Sequence, residues 1–229
     1  MEYMKKFATQ SDHDAEYYND ETYKQPWLAA IEGSNEPTYN KYNYNGHEYV
    51  DLGLPSKTMW ATCNVGATAE TEFGDYFASC ETEPKANYAW STYKWGNSAA
   101  NLTKYNQSCV IDLDDDAARV NMGGSWRLPT MAQWNELFTG TTWSWVTIDG
   151  VTGSKFTSKS DSTKYIFMPS SGRYQGTTLK NTADGAFFWC RNINGNAAER
   201  ALVFQSKREC DTIGQATYGH TVRGVVDHI

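Results

Sequence analysis

Short apolar runs broken by glycine, proline and asparagine make up most of the chain from Tyr49 onward, and one stretch departs from that texture. In residues 123–134 an extended arrival, a turn and a capped helix meet. Pro129 biases Leu128 toward extended geometry and suits a position just outside a helix. Thr130 stands three residues before Gln133, the spacing at which each side chain satisfies the other's orphan backbone donor. Met131, Trp134, Leu137 and Phe138 recur at helical spacing and give one apolar face. Gly140 reads as the stop, and Gly123 with Gly124 permit positive φ or close backbone approach. The pattern predicts a structural hub, buried through Trp134 and Leu137, around which the remainder packs.

The runs at residues 49–55 and 58–66 predict short strands with tight turns. A long aromatic loop with Tyr88, Trp90, Tyr93 and Trp95 is expected to pack through its rings. Residues 112–120 predict a second short helix whose acidic first turn complements the helix dipole. An EF-hand reading of the same acids lacks Gly at loop position six and Glu at twelve. Residues 143–147, 154–157, 165–169, 186–190, 201–204 and 221–226 predict further strands, the first strand lying close to the last. Residues 191–200 and 205–220 show no period and read as irregular loops. The sum is an α+β domain of short mixed and antiparallel strands with two short helices, spanning 43–229. Residues 1–42 are polar and tyrosine-rich and read as an N-terminal appendage that docks on a partner or on the main domain.

Composition narrows the function classes. The chain has 229 residues, 40% hydrophobic and 14% aromatic, enough for one sizeable core. A net charge of −7 without clustered Lys and Arg argues against nucleic-acid binding. No run nears the roughly 20 apolar residues of a spanning helix, so membrane insertion is not expected. Residues 1–7 lack the apolar segment of a signal peptide, which leaves a removed leader or export by another route, for instance inside a phage particle. Cys63, Cys80, Cys109, Cys190 and Cys210 are odd in number and without CxxC spacing, so no zinc site and no cofactor is expected. They read as small buried hydrophobes or incidental thiols, with a Cys190–Cys210 disulfide left open.

Several ordered motifs carry a family resemblance: Tyr49-Val50-Asp51-Leu52-Gly53-Leu54-Pro55-Ser56, Trp60-Ala61-Thr62-Cys63-Asn64-Val65-Gly66-Ala67, Gly74-Asp75-Tyr76-Phe77-Ala78, Glu81-Thr82-Glu83-Pro84, Asp115-Asp116-Ala117-Ala118, the hub, and Ser171-Gly172-Arg173-Tyr174. Together they resemble the major paralogous domain family of Fibrobacter and Bacteroides-type bacteria, over residues 49–225. That family is similar to the C-type lectin-like fold, including the formylglycine-generating branch. Gly185, Trp189, Gly219 and Val222-Arg223 fit its closing part. The chain departs from the pattern at Trp189-Cys190-Arg191, at Ala78-Ser79-Cys80-Glu81 and at Gly224. The first departure falls where retroelement-diversified proteins of this fold vary.

The resemblance implies a binding or adhesion protein whose surface between Trp189 and His220 recognises a protein or glycan receptor on a cell surface. Trp189, Arg191, Asn192, Asn194, Asn196, Arg208, Asp211, Thr212, Ile213, Tyr218 and His220 are the candidate contacts, placed on loops of a rigid scaffold where recognition concentrates. The implied setting is a phage virion or a bacterial surface. A structural virion or surface-layer subunit, with virion or homo-oligomer contacts through the N-terminal segment, is the second class. Catalysis of the formylglycine-generating kind ranks last, because Cys190 and Cys210 sit in no local motif of that branch and the four histidines have no metal or nucleophile spacing. Diversification from adenine-rich codons would admit Cys190, Arg191, Ile193, Cys210, Asp211, Thr212, Ile213, Tyr218 and His220, which should then point outward. Trp189, Glu199, Gln205, Lys207, Glu209 and Gln215 should be fixed or come from another template codon.

Overall fold

The computed structural model describes residues 42–227. The expected appendage, apart from Tyr42, lies outside the described residues. Asn45 and Gly46, both at positive φ, close a hairpin between β1 (Tyr42–Tyr44) and β2 (His47–Val50). Next come β3 (Met59–Asn64), β4 (Tyr76–Phe77), β5 (Gly96–Ser98), β6 (Asn101–Leu102) and β7 (Cys109–Val110). Two helices follow, α1 (Ala117–Met122) and α2 (Met131–Gly140). The rest is strand: β8 (Thr141–Ile148), β9 (Val151–Ser158), β10 (Tyr165–Pro169), β11 (Arg173–Gln175), β12 (Thr178–Lys180), β13 (Gly185–Asn194), β14 (Ala197–Phe204), β15 (Arg208–Ile213), β16 (His220–Thr221) and β17 (Arg223–Val226). The described domain is strand-rich with few helices. None of those helices is long and apolar enough to cross a membrane.

One sheet has the order β1-β2-β3-β17, and a larger one runs β15-β14-β13-β16-β4 with β7 also on β13. The first and last long strands therefore share a sheet but are not neighbours: β3 lies between them, with Trp60 opposite both Val50 and Val225. A β10-β9-β8 meander and the pairs β11-β12 and β5-β6 complete the pairing.

Helix α2 sits where both large sheets need a common apolar surface. Its N-terminus carries the capping box, Thr130 Oγ1 accepting from the Gln133 amide and the Gln133 side chain accepting from the Thr130 amide. Trp134 and Leu137 are fully buried. Trp134 meets Trp60 of β3 edge-on at 4.9 Å and Phe188 of β13 at 5.1 Å, so one ring joins the two sheets. Gly124 has φ +55, and an added Cβ would meet the Tyr44 ring at 2.8 Å; close approach of the β1 hairpin requires glycine there. Gly140 is no left-handed cap. It is the last helical residue, and a Cβ on it would strike Leu54 Cδ2 at 2.6 Å, so space selects it.

The acids of residues 112–116 lie ahead of α1 instead of in its first turn. Asp116 is the N-cap, accepting from the Ala118 and Arg119 amides and also from the Leu128 amide. Asp115 accepts from Tyr105 Oη at 2.8 Å and pairs with Lys94 and Lys104, while Asp112 also pairs with Lys104. These oxygens are committed to protein donors. Added Ca²⁺ should leave the melting temperature of chelator-treated protein unchanged; a large rise would mean that an ion displaces the lysines.

Candidate functional site

Of the stretches that read as irregular loops, residues 191–200 are mostly strand and 205–220 are strand only at 208–213 and at His220. β13 continues to Asn194 through a bulge between Trp189 and Ile193, a tight turn at Gly195 starts β14, and β15 adds the outer strand. The register moves by two residues across this bulge and pairing with β14 lapses between Trp189 and Ile193, while the turn at Gly195 divides residues 191–200 between two strands, so no continuous period of two is visible there. Register assigns the faces. Phe188, Ala201 and Cys210 align on one face, which lies toward α2, with Cys210 Sγ 3.9 Å from the Met131 carbonyl. Trp189, Arg200 and Asp211 align on the other.

On that second face the chain builds an aromatic and cationic cluster. His220 is fully buried, stacked on Trp189 at 3.9 Å and on Phe187 at 5.3 Å. Among the described residues neither ring nitrogen has a hydrogen-bond partner. Burial, reinforced by Arg200 and Arg173, pushes its pKa well below the ordinary histidine value. Arg200 holds Asp211 with both arms, Nε to Oδ1 at 2.6 Å and Nη2 to Oδ2 at 3.0 Å. Its third nitrogen, Nη1, is buried without a partner among the described residues. Arg173 comes from β11: its Cζ lies 4.3 Å from the Phe187 centroid and 5.0 Å from that of Tyr218. Its Nε is likewise buried without a partner among the described residues. Gly172 makes this placement possible. It turns at φ +61 with a Cβ position only 2.1 Å from the Lys180 carbonyl, while its amide bonds Gly185 and Tyr174 pairs with Gly219.

Folded His220 refuses a proton that the unfolded chain accepts below about pH 6.5. The unfolded state then binds more protons, so stability falls on acidification by about 1.4 kcal/mol per pH unit. The loss begins near the unfolded pKa and continues toward the depressed folded one. Urea unfolding across this range should show the slope, and His220→Phe should flatten it; equal slopes in both proteins would contradict the buried neutral imidazole.

The sequence-predicted contacts separate into three groups. Trp189 and His220 are sealed in the interior: they form the stack, and Trp189 Nε1 donates to the Phe77 carbonyl at 2.7 Å. Their expected place on an accessible surface is corrected on that ground. Ile213 packs partly buried against the main core. Arg191 turns inward, its Nε 4.0 Å from buried Asp116, and Asn192 is half-buried where β13 meets β7. The outer group is Asn194, Asn196, Arg208, Asp211, Thr212 and Tyr218. Asn194 and Asn196 are exposed at the hairpin tip, Asn196 Nδ2 bonding the Ala99 carbonyl at 3.0 Å. Arg208 lies over Trp143 at 3.8 Å, Thr212 is exposed, and Asp211 and Tyr218 are half-buried. Cys190 and Ile193, expected outward, are buried: Cys190 alternates onto the Phe188 face beside Cys210, and Ile193 packs with Trp189 in the main core. Arg173 was missed; a single arginine after Ser-Gly carries no signal until the fold brings Arg200 and Tyr218 beside it.

All five cysteines are free. The Cys190 and Cys210 thiols lie beside each other, yet no bond joins them. Burial pushes the Cys80, Cys109 and Cys190 thiols up, the reverse of a nucleophilic setting. No group of three or more His, Cys, Asp or Glu among the described residues is placed to hold a metal ion. Comparison with protein-family models, with curated proteins and with solved structures finds no match.

Proposed function

We propose that the domain is a C-type lectin-like scaffold that binds a protein or glycan receptor through the outer hairpin of its large sheet. The observation that carries this reading is the ladder β13-β14-β15: its backbone is held in register while Asn194, Asn196, Thr212 and Glu209 stand exposed on it and Arg208 and Asp211 stand half-exposed. Chemically varied side chains on a fixed backbone are the physical requirement for recognition without repacking. Two short helices beside two sheets, with early and late strands in one sheet, agree with the lectin-like resemblance. The raised thiols favour binding over cysteine catalysis. A diversified tail, the finer form of the reading, would work through Arg191, Asp211, Thr212 and Tyr218, since Cys190, Ile193 and His220 are sealed.

The full chain should bind saturably to a component of glycan arrays or of bacterial envelopes. A combined Asn194→Ala, Asn196→Ala, Thr212→Ala variant should lose about tenfold or more in affinity. Its melting temperature should be little changed, because each surface substitution costs no more than about 0.5 kcal/mol. Undiminished binding would remove the hairpin from the account. Association only with purified virion proteins would favour the subunit reading, and turnover of a cysteine-containing sulfatase peptide the catalytic one.

A further inference from the structure

The Arg173 cluster is charged in a way that the packing of the domain does not use. Two guanidinium groups converge on one ring, their Cζ atoms 4.3 and 5.4 Å from the Phe187 centroid. Like charges this close, in a partly desolvated place, repel unless an anion lies between or beside them. Asp211 answers only one of them, and it spends both oxygens on Arg200. Arg173 has no carboxylate partner among the described residues, and its Nε is buried and unsatisfied. Arg200 keeps a second buried, unsatisfied donor in Nη1, on a side chain only 10% exposed. Among the described residues no hydrogen bond engages the Tyr218 hydroxyl, whose ring lies 5.0 Å from the Arg173 Cζ. Buried donors without acceptors are uncommon in folded proteins and each costs free energy. Here they gather around one half-buried arginine that solvent still reaches.

We propose that Arg173, Arg200 and Tyr218 form an anion site that takes a single carboxylate group of a small ligand. The inference rests on the binding function above and specifies the ligand chemistry. Charge count selects a monoanion: with Arg200 compensated by Asp211, one unit of positive charge remains, and a dianionic phosphate would bring excess negative charge next to Asp211. The planar fork of Arg173 matches the two oxygens of a carboxylate. Arg200 Nη1 and the Tyr218 hydroxyl are further donors on the same side of the sheet. Phe187 forms an apolar floor, which lowers the local dielectric and strengthens each of these bonds.

Calorimetric titration of the full chain tests this, with glucuronate as a sugar carboxylate, glutarate as an acyclic one, and glucose and sulfate as controls. Saturable binding of at least one carboxylate is expected, with glucose silent and sulfate weaker. The stronger of the two carboxylates identifies the source, saccharide or acyclic acid. Arg173→Gln should weaken binding by about tenfold or more, the worth of a charged hydrogen bond. Arg173→Lys should weaken it as well, because a point charge does not replace the fork. Tyr218→Phe keeps the ring and should cost a few-fold, which controls for misfolding, as does an unchanged melting curve in each variant. Absence of saturation by ~10 mM carboxylate, equal affinity for sulfate, or an undiminished Arg173→Gln protein would overturn the proposal. Failure here with hairpin-dependent binding retained on arrays would leave the broader function standing; loss of both would remove it.

Discussion

Replacing Arg223 with Met should destabilise the protein by about 3 kcal/mol or more, although the new side chain fills much of the same space. Arg223 is fully buried on β17, and it donates to neutral acceptors on two other strands. Nε reaches Asn64 Oδ1 at 2.9 Å, Nη1 the carbonyls of Ala61 at 2.9 Å and of Thr62, and Nη2 the carbonyl of Phe167 at 2.9 Å. Burial, the first cause, pushes its pKa down to about 10, so it stays charged at neutral pH. Two effects oppose each other in the Met variant. Removing a buried charge relieves its desolvation, but several acceptors lose a charged donor at about 1 kcal/mol or more each. The acceptors outnumber the charge, and they lie on β3 and β10, which Arg223 links to β17. Arg223→Lys should also be destabilising, because one ammonium does not span three strands. Urea unfolding measures both; a Met variant within about 0.5 kcal/mol of the parent would show that the guanidinium is dispensable.

Trp134→Ala should cost about 3 to 5 kcal/mol. The indole is fully buried and touches Trp60, Phe188 and Phe138, at 4.9, 5.1 and 5.9 Å between centroids. Deleting it opens a cavity at the one place where α2, β3 and β13 meet, and the rigid sheets on either side collapse little into it. Trp134→Phe should be much milder, below about 1.5 kcal/mol, because the buried Nε1 has no partner to lose. If the Ala variant unfolds like a surface substitution, α2 is not the joint between the sheets.

The hub could be read from the sequence because its determinants are local. Thr130 and Gln133 specify the helix start within one turn, and Trp134 and Leu137 specify the buried face, without reference to any distant residue. The tail could not be read in this way. His220 looks like a polar loop residue, yet its environment is decided by Trp189 and Phe187, some thirty positions earlier, through the pairing of β13 with β16. The bulge after Trp189 interrupts the pairing of β13, and the turn at Gly195 divides residues 191–200 between two strands, so no single period runs through them. Arg208 to Ile213 alternate only weakly, because their outward partners are solvent and the Trp143 ring. Arg173 lay in a recognised motif, but its meaning depends on Arg200, Asp211 and Tyr218, which only the folded sheet assembles.

Recognition through the outer hairpin is the central claim, and its most direct test is hydroxyl-radical footprinting of the full chain with and without a receptor identified on the arrays. Protection concentrated on residues 194–196 and 208–218, with β8, β9 and the α1 surface unchanged, is the predicted result. Protection confined to surfaces away from β14 and β15, with the hairpin as reactive in the complex as in the free protein, would contradict it.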